Sequence, residues 1–172
     1  MAEQVQAVLD QMVPALRDFL DKGIFSEDEV KAIVTRRRES EYLLRRRSCR
    51  KSDYARYIDA EMNLEKLRVL RKKRVMAQKR AEERENKQKE NPNGKEDDNR
   101  KGSNKSESSV GDPSIVQLIH FLYVRAKRKW KHDLSWHLQH AEFSKEAKSF
   151  QMLGKIYAEA LQVSIDVHYY IP

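Results

Sequence analysis

Long apolar runs are missing from this 172-residue chain. No stretch approaches the roughly 20 residues that a bilayer-crossing helix needs, so contact with a membrane is not expected. Cysteine occurs once, as Cys49. That excludes an internal disulfide and any zinc site built from several thiolates, and the thiol reads as an ordinary intracellular one. Glycine (5) and proline (4) are scarce, which disfavours a turn-rich all-β fold. The N-terminus lacks the basic and apolar segments of a secretory signal, because Asp10, Arg17 and Asp18 interrupt every apolar run. A soluble cytosolic or nuclear protein is expected. There is no glycine-rich phosphate loop, nucleophile elbow or kinase-type signature. No catalytic residue and no cofactor is therefore assigned, and the chain reads as a non-enzyme.

Charge is abundant and unevenly placed. Charged residues make up 36% of the chain against 39% apolar, so much of the molecule must be solvated surface. The net charge is +8. Residues 35–90 alone carry 20 basic and 10 acidic groups, so a polyanionic partner would meet this segment first.

Apolar periodicity predicts helices throughout. Val5, Val8, Leu9, Met12, Val13, Leu16 and Phe19 recur at spacings of three and four, giving one broad apolar face over residues 3–21. Pro14 predicts a kink or short break there, and Gly23 a left-handed stop. Ser26 and Glu29 form a capping box for a second helix over about 27–47. A third helix opens at Ser52 or Asp53 and places Tyr54, Tyr57, Ile58, Leu64, Leu67 and Leu70 on its stripe. Beyond Leu70 it continues as a mixed-charge rod toward Glu90. Residues 91–111 are low-complexity, with almost nothing to bury, and are expected to be disordered. Asp112 and Pro113 then cap and open a further helix, and Asp133 caps the next. The last helix, about 149–162, is expected to bury Phe150, Leu153, Tyr157, Ala160 and Leu161. Residues 166–172 read as the start of one more. The expected division is an N-terminal helical region at 1–77, a polar linker at 78–113 and a repeat segment at 114–172.

Aromatic, small and Arg/Glu positions recur in that last segment in helix–turn–helix order. Units of this kind cannot bury their apolar faces alone, and stacked arrays of them hold partners. Leu122, Trp136, Phe143, Tyr157 and Leu161 are the expected packing residues between the helices of one unit. His137 and His140 lie three apart, a spacing that can hold a metal, but no motif supplies further ligands beyond His120 or Glu142. Packing or surface histidines are the plainer reading, and no metal is assigned.

The candidate contact residues for RNA or a partner are Arg36, Arg37, Arg38, Arg45, Arg46, Arg47, Arg68, Arg71, Lys72 and Lys73. Tyr42, Tyr54 and Tyr57 interleave with them. Such a surface suits phosphate contacts and base stacking. It suits equally the acidic face of a protein, or a nuclear or nucleolar address.

Met12-Val13-Pro14-x-Leu16, Gly23-Ile24-Phe25-Ser26, Ile33-Val34-x-Arg36-Arg37 and Glu41-Tyr42-x-Leu44-x-Arg46 resemble the U3 small nucleolar RNA-associated protein 6 family. The likeness continues through Asp53-Tyr54-x-x-Tyr57-Ile58 to Leu70-Arg71-Lys72-Lys73, and the 114–170 block resembles that family's half-a-TPR (HAT) repeats. The resemblance implies an all-α, HAT-type, TPR-like scaffold without catalytic residues in the small-subunit processome of the nucleolus. The implied partners are β-propeller (WD-repeat) subunits of the subcomplex containing periodic tryptophan protein 2, and U3 small nucleolar RNA with pre-ribosomal RNA, directly or through the complex. The alternatives are a direct RNA-binding basic module, or a HAT-type adaptor of another RNA-processing complex. The family continues through many more repeats, so the chain reads as a truncated member. Two further departures stand out: the polar insertion at 78–113, and His137 where the repeat tryptophan usually falls.

Overall fold

The computed structural model describes the backbone of residues 2–90 and 111–169 and the side chains of residues 2–85 and 111–164. Among the described residues the protein is all-α. Seven helices run in the order α1 (Ala2–Asp10), α2 (Val13–Asp21), α3 (Glu27–Leu44), α4 (Lys51–Glu90), α5 (Ser114–Lys129), α6 (Leu134–Glu146) and α7 (Phe150–Tyr169). They build two compact units. One comprises Met1–Glu39 and Asn63–Ser114, the other Ser40–Met62 and Ile115–Pro172. Each unit thus draws on chain from both sides of the low-complexity stretch. Residues 91–110 of the expected linker lie outside the described residues.

In the first unit, Pro14 explains why α1 and α2 are separate. Its ring would strike the carbonyl of Asp10 in a continuous helix, so α1 stops at Asp10 and α2 restarts with proline in its first turn. Gly23, at φ +66°, ends α2. Ile24 N–H donates to the Phe19 carbonyl at 3.0 Å and Gly23 N–H to that of Leu20 at 2.9 Å, which closes the orphan carbonyls in a Schellman turn. The capping box forms in both directions. Ser26 N–H donates to Glu29 Oε2 at 2.9 Å, and Glu29 N–H to Ser26 Oγ at 3.3 Å. Val5, Leu9, Leu16, Phe19, Ile24, Phe25, Val30 and Ile33 form the core, with Phe19 set edge-on to Phe25 at 5.6 Å. Val13, Leu67 and Leu70 stand exposed, against expectation. Arg68, Arg71 and Lys72 hold this part of α4 through ion pairs instead.

Asp112 differs from its expected role as a cap. Its carboxylate accepts from Arg68 Nη1 at 2.7 Å and from Lys72 Nζ, and α5 begins only at Ser114, after Pro113. The turn is set by Gly111, whose N–H reaches Asp18 Oδ2 at 3.2 Å. A Cβ at Gly111 would fall 2.7 Å from the Phe19 ring, so only glycine lets the backbone come this close.

In the second unit, α6 packs on α7. Asp133 caps α6 by accepting from Ser135 N–H at 3.0 Å. Its other oxygen takes Lys51 Nζ at 2.5 Å. At the far end, Lys148 occupies the left-handed position at φ 55°. Ser149 N–H donates to the Ser144 carbonyl at 2.9 Å and Lys148 N–H to that of Lys145 at 3.2 Å, so a lysine stands where the motif favours glycine. Lys148→Gly is expected to raise stability by about 1 kcal/mol. A lowered thermal midpoint by circular dichroism would contradict that. Residues 166–169 extend α7 rather than opening a new helix, and 170–172 lie outside the described residues.

Candidate interaction surfaces

The candidate basic residues divide by environment. Arg37 is 3% exposed, with Nη1 3.5 Å from Met12 Sδ. Arg68 is buried between Glu65 and Asp112, each at 2.7 Å. Arg71 grips both oxygens of Glu29 at 2.6 and 2.7 Å and lies over the Phe25 ring at 5.0 Å. That hydrogen bonding, joined by the Ser26 N–H, pulls the Glu29 carboxyl down to about 2. Lys72 pairs with Asp112, and Arg45 Nε lies 3.9 Å from Glu41 Oε2. Arg68, Arg71 and Lys72 are thus committed to ion pairs within the protein, and Arg37 and Arg45 are largely withdrawn from solvent. Arg36, Arg38, Arg46, Arg47 and Lys73 are the exposed members of the set. Of the interleaved tyrosines, Tyr54 and Tyr57 are core residues and only Tyr42 faces solvent. Base stacking on the other two is excluded.

The repeat residues divide as well. Leu122, Trp136 and Phe143 are buried. Trp136 stacks on Trp130 at 5.9 Å and stands edge-on to Tyr54 and Tyr123, both at 6.4 Å. Tyr157 and Leu161 do not join this cluster. They are 49% and 65% exposed, and Phe150 is 68% exposed. The buried face of α7 carries Ala160, as expected, and Ile156 in place of the expected Tyr157. Phe150, Tyr157 and Leu161 form an apolar stripe turned to solvent instead.

His137 and His140 diverge. His140 is buried, stacks on Tyr123 at 4.7 Å and shares a 2.8 Å hydrogen bond between its Nε2 and Nδ1 of His120. His137 faces Glu159 on α7. No group of three or more potential metal ligands converges among the described residues. Burial, aided by the Lys127 ammonium and the His120 and His137 rings, holds His140 neutral with its pKa lowered to about 3. An unfolded histidine titrates near 6.5. Between those values the unfolded chain binds a proton that the folded chain refuses. Stability is therefore complete above about pH 6.5 and declines as pH falls toward 3. From about pH 7 to about pH 5, His140 is expected to remove on the order of 2 kcal/mol. Both tryptophans, Trp130 and Trp136, lie in this unit, so urea midpoints read by their fluorescence measure the effect. His140→Gln should flatten the slope, and a midpoint unchanged over this window would refute the assignment.

The family model described as U3 small nucleolar RNA-associated protein 6 matches residues 9–96, from the end of α1 through the whole of α4. The chain belongs to this family. Relatives extend the likeness across the second unit. The U3 small nucleolar RNA-associated protein 6 of Schizosaccharomyces pombe is 33% identical over 162 residues, covering 94% of this chain and 28% of that protein. The human and mouse proteins named as its homologues are 27% and 26% identical over 163 residues, each covering 95% of this chain and 23% of the relative. The chain thus spans about a quarter of the length of the curated relatives it matches. Within the family match fall all ten candidate basic residues, both the five that are buried or paired and the five that are exposed.

Proposed function

We propose that this chain is a non-catalytic helical scaffold of the U3-type small-subunit processome, acting in pre-ribosomal RNA processing and 18S maturation in the nucleolus. The observation that carries this reading is the reach of the likeness. It covers 94% of the chain against a U3 small nucleolar RNA-associated relative and takes in both the basic leader and the repeat-like helices. The exposed stripe of Phe150, Tyr157 and Leu161 supports a docking role, because apolar side chains in such a row are stabilised by a covering surface. In this reading residues 1–77 and 114–172 carry the docking faces and 78–113 joins them. The partners are WD-repeat subunits of the subcomplex containing periodic tryptophan protein 2. The test is capture of the tagged chain from cells. U3 RNA should be enriched with it and the fluorescent fusion should be nucleolar; recovery of neither result ends the reading.

A second reading, direct RNA contact, is favoured by the exposure of Arg36, Arg38, Arg46, Arg47 and Lys73. Phosphate neutralisation by such groups weakens steeply with salt. Arg46→Glu combined with Arg47→Glu is expected to weaken binding of single-stranded RNA about tenfold or more in fluorescence anisotropy at moderate salt. Unchanged affinity would eliminate Arg46 and Arg47 as RNA contacts.

A further inference from the structure

The segment Arg125-Ala126-Lys127-Arg128-Lys129-Trp130-Lys131-His132 is absorbed by neither reading above. In the second unit it forms one wall of an open cleft of about 440 Å³, whose lining includes Lys127, Arg128, Lys131, His132, His137 and Glu159. Lys127 is only 8% exposed and donates to Glu159 Oε2 at 2.5 Å, while Glu159 is 53% exposed. The same oxygen lies 4.0 Å from His137 Nδ1. That nitrogen is buried and makes no hydrogen bond among the described residues. A single carboxylate oxygen from a half-open side chain thus sits between a buried ammonium and a buried imidazole nitrogen.

Burying a charged lysine beside an unbonded imidazole is unfavourable unless an anion satisfies both. Glu159 satisfies the lysine and only approaches the histidine. Its exposure makes the ion pair easy to exchange. A phosphate group has more oxygens in a tetrahedral arrangement and would reach both groups at once, with Arg128 and Lys131 at the mouth adding attraction. We propose, building on the RNA-contact reading, that this cleft binds a backbone phosphate of single-stranded RNA and that Glu159 occupies the phosphate position until RNA displaces it. Single-stranded nucleic acid rather than a phosphorylated peptide is favoured by the exposed flat ring of His132, which lines the cleft beside Lys127, Arg128 and Lys131 as rings do along stacking grooves.

His137 is the reporter. Burial and then Lys127 lower its pKa, while Glu159 and Asp133 raise it. Asp133 is itself held by Lys51 and Ser135. An arriving phosphodiester carries the same single negative charge as the carboxylate it displaces, but it would hydrogen-bond the ring nitrogen that Glu159 only approaches at 4.0 Å, and this raises the pKa.

The test uses the whole chain with a short fluorescein-labelled oligouridylate, and a phosphoserine peptide as the competing probe. Glu159→Gln is expected to tighten RNA binding about threefold to tenfold, because a competing charge is lost while the side-chain shape is kept. Arg128→Glu with Lys131→Glu should weaken it about tenfold or more and flatten the salt dependence. Arg128 and Lys131 are exposed, so their replacement leaves the core intact; Glu159→Gln removes the partner of buried Lys127, so its fold is verified by circular dichroism before binding is read. The His137 ring resonances in nitrogen–proton NMR should move on adding RNA, with an upward shift in titration. Binding indifferent to all these substitutions, or a silent His137 in the RNA-bound protein, overturns the proposal. So does a response of His137 to the phosphopeptide and not to RNA. If Arg46→Glu/Arg47→Glu removes binding while the cleft variants do nothing, the cleft is wrong and the leader surface stands. If the cleft variants act and the arginine pair does not, that pair makes no RNA contact and the cleft stands.

Discussion

Glu41→Gln is expected to lower the unfolding free energy by about 3 to 5 kcal/mol, one of the two largest single-residue effects in the molecule. Glu41 is 0% exposed. Its two carboxylate oxygens accept from Arg125 Nη1 at 2.8 and 3.0 Å, and the guanidinium also lies over the Phe121 ring at 5.3 Å. Glutamine keeps the shape and removes the charge, so Arg125 would remain ionised and half-buried without compensation. The loss then measures an uncompensated cation rather than a cavity. Replacing both partners by methionine should recover most of the stability, since a well-packed apolar pair often matches a buried ion pair. Urea unfolding followed by tryptophan fluorescence reads both variants. A single-variant loss below about 1 kcal/mol would mean that water reaches Arg125 and that the pair is ordinary surface electrostatics.

Trp136→Ala should reduce stability by a comparable amount, about 3 to 5 kcal/mol. The indole is 4% exposed and is surrounded by Tyr54, Tyr123 and Trp130. Its Nε1 makes no hydrogen bond among the described residues, so truncation forfeits packing and ring contacts alone. Tyr157→Ala provides the contrast. That side chain is half in water, and its removal should change the circular-dichroism midpoint by no more than about 0.5 kcal/mol in free-energy terms. Equal effects at the two positions would show that α7 packs through Tyr157 after all.

The difference between those two residues marks how far the sequence could be read. Local chemistry was legible. The Pro14 break, the Gly23 stop, the Ser26–Glu29 box and the Asp133 cap each depend on residues within a few positions of one another, and each stands in the structure. The rotation of α7 was not legible. Its apolar residues include both Ile156 with Ala160 and Tyr157 with Leu161, two stripes about 100° apart on the same helix, and periodicity alone does not choose between them. Long-range pairing was equally hidden. Glu41 and Arg125 are 84 residues apart in sequence. Each looks like one member of a solvated charge pattern until the fold joins them. The ten basic candidates show the same limit: composition marks all of them as ligand-facing, whereas for Arg68, Arg71 and Lys72 an acid brought in from elsewhere in the chain makes them ties. The cleft at Lys127 carried a visible signal, five cations within the seven residues 125–131. Its meaning depended on Glu159 and His137 arriving from two other helices.

Phe150, Tyr157 and Leu161 also bear on how the polypeptide fares in a cell. A newly made copy shows this greasy row to every chaperone and protease it meets, and isolated copies are prone to stick to one another as their concentration rises. In the docking reading proposed above, lifetime becomes coupled to encounter: copies that find a mate are spared, and surplus ones are cleared. A stoichiometric balance between subunits can be kept in this way without any dedicated regulator.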